Sequence, residues 1–326
     1  MREPRFWYDP PSWQSLLLRP IGWLYGALTK ARVAKRPEFS ADIPVVCIGN
    51  INVGGTGKTP TAIAIAERLT DWGVAVHIVS RGYGGDETGP VNVDSGRHTA
   101  QQVGDEPLLL SEFASTWVSK DRAAGVRAAQ DAGADVVLLD DGFQNPAVRK
   151  DISIVVVDAQ RGFGNGHVIP AGPLRESVLD GLGRADIVLT IGDALATELQ
   201  LDGHPTTHGR LVPLPTGMTW KGLRVLAFAG IGNPSKFFAT LRALGVEMIK
   251  SEPLEDHQPL TSALMNRLEA EAKSQVAQLV TTEKDAVRLP VDFRSKVLTV
   301  PVRLQIEDWS AIDQALQKVG LQPNKS

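Results

Sequence analysis

The chain has one cysteine, Cys47, in 326 residues. No disulfide framework is possible within the chain, and this usage fits a reducing cytosol. Cys47 falls in an apolar run, Pro44 to Ile48, and is expected to be a core thiol. No stretch reaches the ~20 apolar residues of a transmembrane helix. The start is charged and aromatic, without a long apolar region or a small-residue cleavage site, so no secretory signal is expected. Internal repeats and low-complexity segments are also lacking. Neither sign of charge dominates: the net charge of −3 says little. Its distribution says more. Residues 1–36 hold seven basic and two acidic side chains, a local +5 that leaves −8 for the remainder, which argues against nucleic acid as a partner of the main body. The length allows two domains.

What is present centres on residues 44–60, PVVCIGNINVGGTGKTP. Pro44 to Ile48 reads as a buried strand, Gly49 to Gly57 as a glycine-rich turn, and Lys58-Thr59-Pro60 as the opening of a helix carrying Ile63, Ile65, Ala66 and Leu69. This is the P-loop layout. Glycines let backbone N–H groups converge on phosphate oxygens, and the helix N-terminus adds partial positive charge. The residues expected to cradle a nucleotide triphosphate are Asn52, Val53, Gly54, Gly55, Thr56, Gly57, Lys58, Thr59 and Pro60. Lys58 would reach the β and γ phosphates and Thr59 would ligate Mg²⁺. Asn52 stands where the generic pattern has glycine. Asparagine tolerates left-handed backbone best after glycine, so that geometry is expected there.

Several later segments carry possible chemistry. Val74 to Ser80 predicts a strand running into Arg81-Gly82-Tyr83-Gly84-Gly85, either a phosphate-facing loop or a plain turn. In Gly104-Asp105-Glu106-Pro107 the carboxylates fit a helix cap, or equally a catalytic base and a metal ligand. Asp135 to Leu139 predicts a strand ending in Asp140-Asp141, the pattern that holds a carboxylate near nucleotide-bound Mg²⁺. Gln144 follows in the same loop as a further candidate for nucleotide binding, and a Gly/Pro-rich loop from Gly162 to Pro173 delivers Arg175-Glu176. Strands are also predicted at Trp117–Ser119, Ile152–Val157 and Asp186–Ile191. Residues 192–222 read as a connection. His204 and His208 have ligand-like spacing, but Pro205 disfavours the helix that would align them. From Arg224 an α/β pattern restarts, with a Gly230-Ile231-Gly232-Asn233 turn, Glu255-Asp256-His257, and Thr282-Glu283-Lys284-Asp285 after a strand. Alternating strands and helices predict parallel sheets covered on both faces.

Residues 1–36 are distinct. Leu16, Leu17, Leu18, Ile21, Trp23, Leu24 and Leu28 make an apolar face at helical spacing, followed by Lys30, Arg32, Lys35 and Arg36. Two readings fit: an interfacial helix on an anionic membrane, or a helix docked on the protein's own core. Pro20 and Gly22 predict a kink or two short helices.

The segments VGGTGKTP (53–60), SRGYGG (80–85), GDEP (104–107), DDGFQ (140–144), GHVIPAGPLRE (166–176), Asp256-His257 and TTEKDA (281–286) together resemble the tetraacyldisaccharide 4′-kinase family, the lipid A 4′-kinases of Gram-negative bacteria. The resemblance implies transfer of the ATP γ-phosphoryl group to the 4′-hydroxyl of a lipid A disaccharide 1-phosphate, giving lipid IVA, at the cytoplasmic face of the inner membrane. It implies a P-loop α/β/α domain with a second, smaller α/β domain joined by a β-ribbon hinge. Boundaries are expected at 1–36 (membrane-associating segment), 37–205, 206–222 (hinge) and 223–326. The implied catalytic residues are Asp105 with His257, plus Lys58 and Arg175, with Arg81 and Arg122 as further candidates for charge balance. Thr59, Glu106, Asp140 and Asp141 would hold Mg²⁺. One departure is Gln258-Pro259-Leu260, where the family often has an aromatic, so a different local packing is expected. Two other functions compete. A membrane-cycling ATPase switch would carry a second lysine near the start of the loop, where this chain has Asn52 and Val53. A soluble kinase of a small metabolite would leave the N-terminal stretch unexplained.

Overall fold

The computed structural model describes residues 4–9, 12–192, 201 and 203–324. Arg2 and Glu3 of the charge tally, and 193–200 and 202 of the predicted connection, lie outside the described residues.

Two sheets organise the chain. The first has nine strands: β1 (Val45–Gly49), β2 (Val76–Ser80), β3 (Val91–Asn92), β4 (Ser115–Val118), β5 (Val136–Asp140), β6 (Ile152–Asp158), β7 (Ile187–Ile191), β8 (Thr206–Pro213) and β13 (Val302–Ile306). Their spatial order is β13-β8-β7-β6-β1-β5-β2-β4-β3. The second sheet holds β9 (Arg224–Ala229), β10 (Glu247–Pro253), β11 (Gln278–Thr282) and β12 (Val297–Val300), in the order β10-β9-β11-β12. Pairing is parallel except at the two edges of the large sheet, β3/β4 and β8/β13.

The central strands are buried over their whole length because helices cover both faces. Their side chains alternate between two cores. Val46 and Ile48 of β1, with Val136 and Leu138 of β5, pack toward the helix α2 (Lys58–Asp71). Val45, Cys47, Val137 and Leu139 pack on the opposite face. Cys47 is fully buried, and burial pushes its thiol up to about 11, so it is an inert core residue.

The sheets divide the chain differently from the expected boundaries. Thr206–Pro213 is a full strand of the large sheet, not part of a linker. The segment from Val302 returns to that sheet too: β13 pairs with β8, and Ile312, Leu316 and Leu321 join the α2-side core. Arg68 of α2 fixes this return with an ion pair to Asp313 at 2.6 Å. The four-stranded lobe therefore ends near Pro301. Its two crossings lie side by side, where Leu214 N–H donates to Pro301 O at 2.9 Å, and they continue into the antiparallel β8/β13 ribbon.

The N-terminal stretch forms one helix, α1 (Trp13–Val33), rather than two short ones. Pro20 lies on its exposed side, where the carbonyl it leaves unpaired can face water. The other side carries small residues. Ser15, Gly22 and Thr29 are buried at seven-residue spacing, and Ser15 and Gly22 meet the loop 165–171. A Cβ on Gly22 would sit 2.6 Å from Val168 O, so only glycine allows this approach. Ser15 Oγ donates to Ala171 O at 2.9 Å and Lys30 pairs with Asp180 at 2.6 Å. Among the described residues no helix is long and apolar enough to cross a membrane.

Candidate active site

The glycine turn closes over the end of β1. Gly54 and Gly57 take φ of 98° and 101°, left-handed values that admit glycine readily. A Cβ on Gly57 would also meet Ile191 Cδ1 at 2.7 Å. Asn50, fully buried, braces the turn from inside, donating to Thr56 Oγ1 at 3.0 Å and Gly54 O at 3.3 Å. Asn52 differs from expectation: it is not among the residues of positive φ. It forms an antiparallel bridge with Leu174, and its amide donates to Gly162 O at 3.0 Å. A side-chain hydrogen bond to the 162–176 loop, not left-handed backbone, accounts for asparagine here. Val53 N–H to Pro173 O and Arg175 N–H to Ile51 O, both 2.7 Å, complete the splice between the two loops.

Register then aligns the acidic residues. β1 and β5 pair so that Ile48 lies opposite Asp140, which puts the Asp140-Asp141 step beside the turn. Asp141 takes φ 51° and faces Lys58 Nζ at 3.7 Å and Arg175 at 3.0 Å. Burial opposes its charge, but Lys58 and Arg175 together hold its carboxyl below the ordinary value. Asp140 is the reverse case. Its Oδ2 accepts from Ser80 Oγ at 3.1 Å while Oδ1 is buried without a partner. Burial, with the like charges of Glu106 and Asp141, pushes it up to about 7.

These features fit a divalent cation. Asp140 has a lone pair aimed at nothing in the protein, and three carboxylates repel one another there. Among the described residues no three His, Cys, Asp or Glu side chains enclose an ion by themselves. Mg²⁺ does not need such a cage, because it keeps waters and uses one or two carboxylates together with substrate phosphates.

Gln144 is a brace within the same cluster: its amide donates to Asn50 O at 2.7 Å and Glu176 at 3.0 Å, and its Oε1 accepts from Arg175 at 3.3 Å. Glu176 is buried and paired with Arg184. Of the other candidate arginines, Arg122 is buried and donates to the carbonyls of Asp140 and Asp141 at 2.9 and 3.2 Å, so it supports their backbone from behind. Arg81 is exposed at the end of β2.

The four-stranded lobe completes the site. Asp105 opens the helix Asp105–Leu110 and is buried to 4%. Across the cleft its Oδ2 meets His257 Nδ1 at 2.9 Å. His257 has φ 58° and is held there by its own N–H to Gly230 O at 3.2 Å. Burial alone would raise Asp105, but the His257 hydrogen bond, with Lys284 and Arg288, holds it below the ordinary carboxylate value. The same bond raises His257. The Tyr83 ring lies 5.5 Å from the His257 ring, so the aromatic neighbour comes from the first lobe while Leu260 fills the core. Asp285, fully buried, accepts from Gly230 N–H at 3.1 Å and shapes the second glycine turn, whose Gly232 Cβ position lies 3.4 Å from Gly55 N.

Sequence reasoning assigned no role to Lys284 or Arg288. Lys284 pairs with Glu106 at 2.9 Å, and Arg288 Nε lies 3.6 Å from Asp105. Lys284 sat in a motif already singled out; Arg288 had no signal beyond its place one helical turn further on.

A phosphate-cradling turn with its lysine, paired aspartates on the neighbouring strand and a carboxylate–imidazole pair facing them define a P-loop phosphotransferase. A family model described as tetraacyldisaccharide-1-P 4′-kinase matches residues 14–320. A tetraacyldisaccharide 4′-kinase of Dinoroseobacter shibae is 58% identical, covering 97% of each chain. One from Jannaschia sp. is also 58% identical, covering 98% of this chain and 99% of its own. A crystal structure of LpxK from Aquifex aeolicus in complex with ATP superposes with a TM-score of 0.76 at 24% identity, covering 94% of this chain and 99% of that one, a likeness of fold. The chain belongs to the tetraacyldisaccharide 4′-kinase family.

Proposed function

We propose that this phosphotransferase moves the γ-phosphoryl group of ATP to the 4′-hydroxyl of a tetraacyldisaccharide 1-phosphate, with the two lobes closing around the reacting groups. Residues 52–60 bind the triphosphate through backbone N–H groups and Lys58, and Arg175 balances charge on the transferring group. Gln144 holds Arg175 and the turn in register. Thr59, Glu106, Asp140 and Asp141 hold Mg²⁺, which when bound neutralises phosphate charge. Asp105 orients His257 through Nδ1–H, leaving Nε2 to take the hydroxyl proton. The observation that carries this reading is the 2.9 Å Asp105–His257 contact between lobes, beside the glycine turn. The β8/β13 ribbon and its paired crossings serve as the hinge.

The acceptor arrives from the membrane surface. The outer face of α1 exposes Trp13 (71%), Leu17 (70%), Trp23 (77%) and Leu28 (63%), flanked by Arg19, Lys30 and Arg32. Such a face lies in the interface of an anionic bilayer, here the cytoplasmic side of the inner membrane. A cleft of about 680 Å³ lies between α1 and residues 166–180, lined by Arg19, Trp23 and Lys30. Asp105→Asn tests the chemistry: turnover is expected to fall roughly 10²–10⁴-fold with ATP affinity unchanged. An equal loss of ATP affinity would refute the assignment. The soluble small-metabolite kinase leaves the exposed face of α1 without a use.

A further inference from the structure

Lys284 begins from the four-stranded lobe, in the helix Glu283–Ala286 after β11, yet its ammonium ends among acidic residues of both lobes. Nζ lies 2.9 Å from Glu106 Oε1, 3.5 Å from His257 Nε2 and 3.8 Å from Asp256 Oδ1. Burial works against its charge, but Glu106, Asp105 and Asp256 more than offset that, so it stays an ammonium. Glu106 is one of the three carboxylates that crowd the cation site, and the other two are differently served. Asp141 has Lys58 and Arg175, and the Asp140 side chain accepts from the Ser80 hydroxyl. Among the described residues, the cation paired with Glu106 is therefore delivered by the opposite lobe.

A carboxylate oxygen that accepts an ammonium at 2.9 Å cannot at the same time be an inner ligand of a divalent ion on that oxygen without bringing two positive charges within a few ångström. We propose that Lys284 is a positioning residue that stands in for the metal: its ammonium holds the Glu106 carboxylate in place until that carboxylate passes to a divalent cation. This rests on the reading of Glu106 as a metal residue. Metal loading at Glu106 and release of the Lys284 contact are then one exchange. The same exchange clears the approach to His257 Nε2, the nitrogen left free by Asp105.

The test is a titration of the intact protein with Mn²⁺ in the presence of a non-hydrolysable ATP analogue, with free Mn²⁺ read by electron paramagnetic resonance. Removing the competitor in Lys284→Met is expected to tighten Mn²⁺ binding about three- to tenfold, a competition effect set by the lost ion pair. Lys284→Arg, which keeps the charge, is expected to bind Mn²⁺ like the wild type. Metal-free binding of the analogue reports that each variant is folded. A folded Lys284→Met protein with unchanged or weaker Mn²⁺ binding overturns the proposal. Glu106→Gln separates the underlying reading. If it leaves Mn²⁺ binding unchanged, Glu106 is not at the metal and both ideas fail. If it weakens binding while Lys284→Met does not tighten it, the exchange alone fails.

Discussion

Two of the three described non-glycine residues with left-handed backbone are Asp141 and His257; the third, Val276, is in an exposed turn. Such backbone costs a non-glycine residue on the order of 1 kcal/mol or more, so it persists where surrounding contacts over-determine it. For His257 those contacts are Asp105 and Gly230 O. The pair also predicts a pH dependence. Asp105 is lowered, so its share of stability is present above its unfolded value near 4 and lost as pH falls through the folded value. His257 is raised, so its share is complete below about 6.5 and lost as pH rises through the raised folded value. The contact is thus strongest between about pH 4 and 6.5. Thermal melts of His257→Gln and wild type should differ at pH 6 by on the order of 1 kcal/mol, the worth of the lost hydrogen bond. The gap should narrow as pH rises through the raised value of His257; a gap that is constant with pH would show that the bond is not ionic. Nothing in the sequence around Asp105 decided between a helix cap and a base. That choice depends on a histidine 152 positions away, which only the folded chain brings within 2.9 Å.

At the level of elements, local pattern was a good guide wherever one strand or helix carries its own signal. β1, the glycine turn and α2 follow from apolar run, glycines and helical period. β8 was hidden because it lies near a sheet edge and its sequence is polar: Thr207 is buried only by giving its hydroxyl to Asp308 O, and His208 meets Thr190 at 3.0 Å. α1 was legible in its apolar stripe but not in its packing. The contacts that dock it are made by Ser15 and Gly22, which carry no hydrophobic signal. Removing the whole segment would strip the loop that braces the glycine turn, so membrane binding is better tested on the outer face. Leu17→Gln, Leu24→Gln and Leu28→Gln combined should weaken binding to anionic vesicles by roughly 10²–10³-fold, at about 1 kcal/mol or more per side chain. Melting temperature should stay the same, since these side chains are exposed. Undiminished sedimentation with vesicles would remove the anchor role.

The whole molecule is two lobes joined at one edge and touching at the site. Sequence order suggested that the second lobe runs to the C-terminus, because the break at Pro301 is one residue between two strand-like runs. What sends β13 back is pairing with β8 and burial of Ile312 and Leu316 against α2, contacts that no local pattern encodes. Closure rests on polar contacts at the site and on others away from it, among them Arg303 of β13 with Glu283 at 3.0 Å. Besides Asp105–His257 and Glu106–Lys284, Lys236 of the helix Pro234–Ala243 reaches Asp158 at the end of β6 at 2.6 Å. Asp158 keeps the N–H groups of Gln160 and Arg161 as partners, so Lys236→Ala leaves it hydrogen-bonded and folded. Lys236 is partly exposed, so the ion pair is worth about 1 kcal/mol, which moves an open–closed equilibrium roughly fivefold. The nucleotide turn belongs wholly to the first lobe, so ATP affinity should not change, while kcat/KM for the lipid acceptor falls by about that factor. Small-angle scattering of Lys236→Ala should show a larger radius of gyration, and Lys236→Arg should restore both values. If scattering and kcat/KM are both unaltered, closure does not depend on this contact.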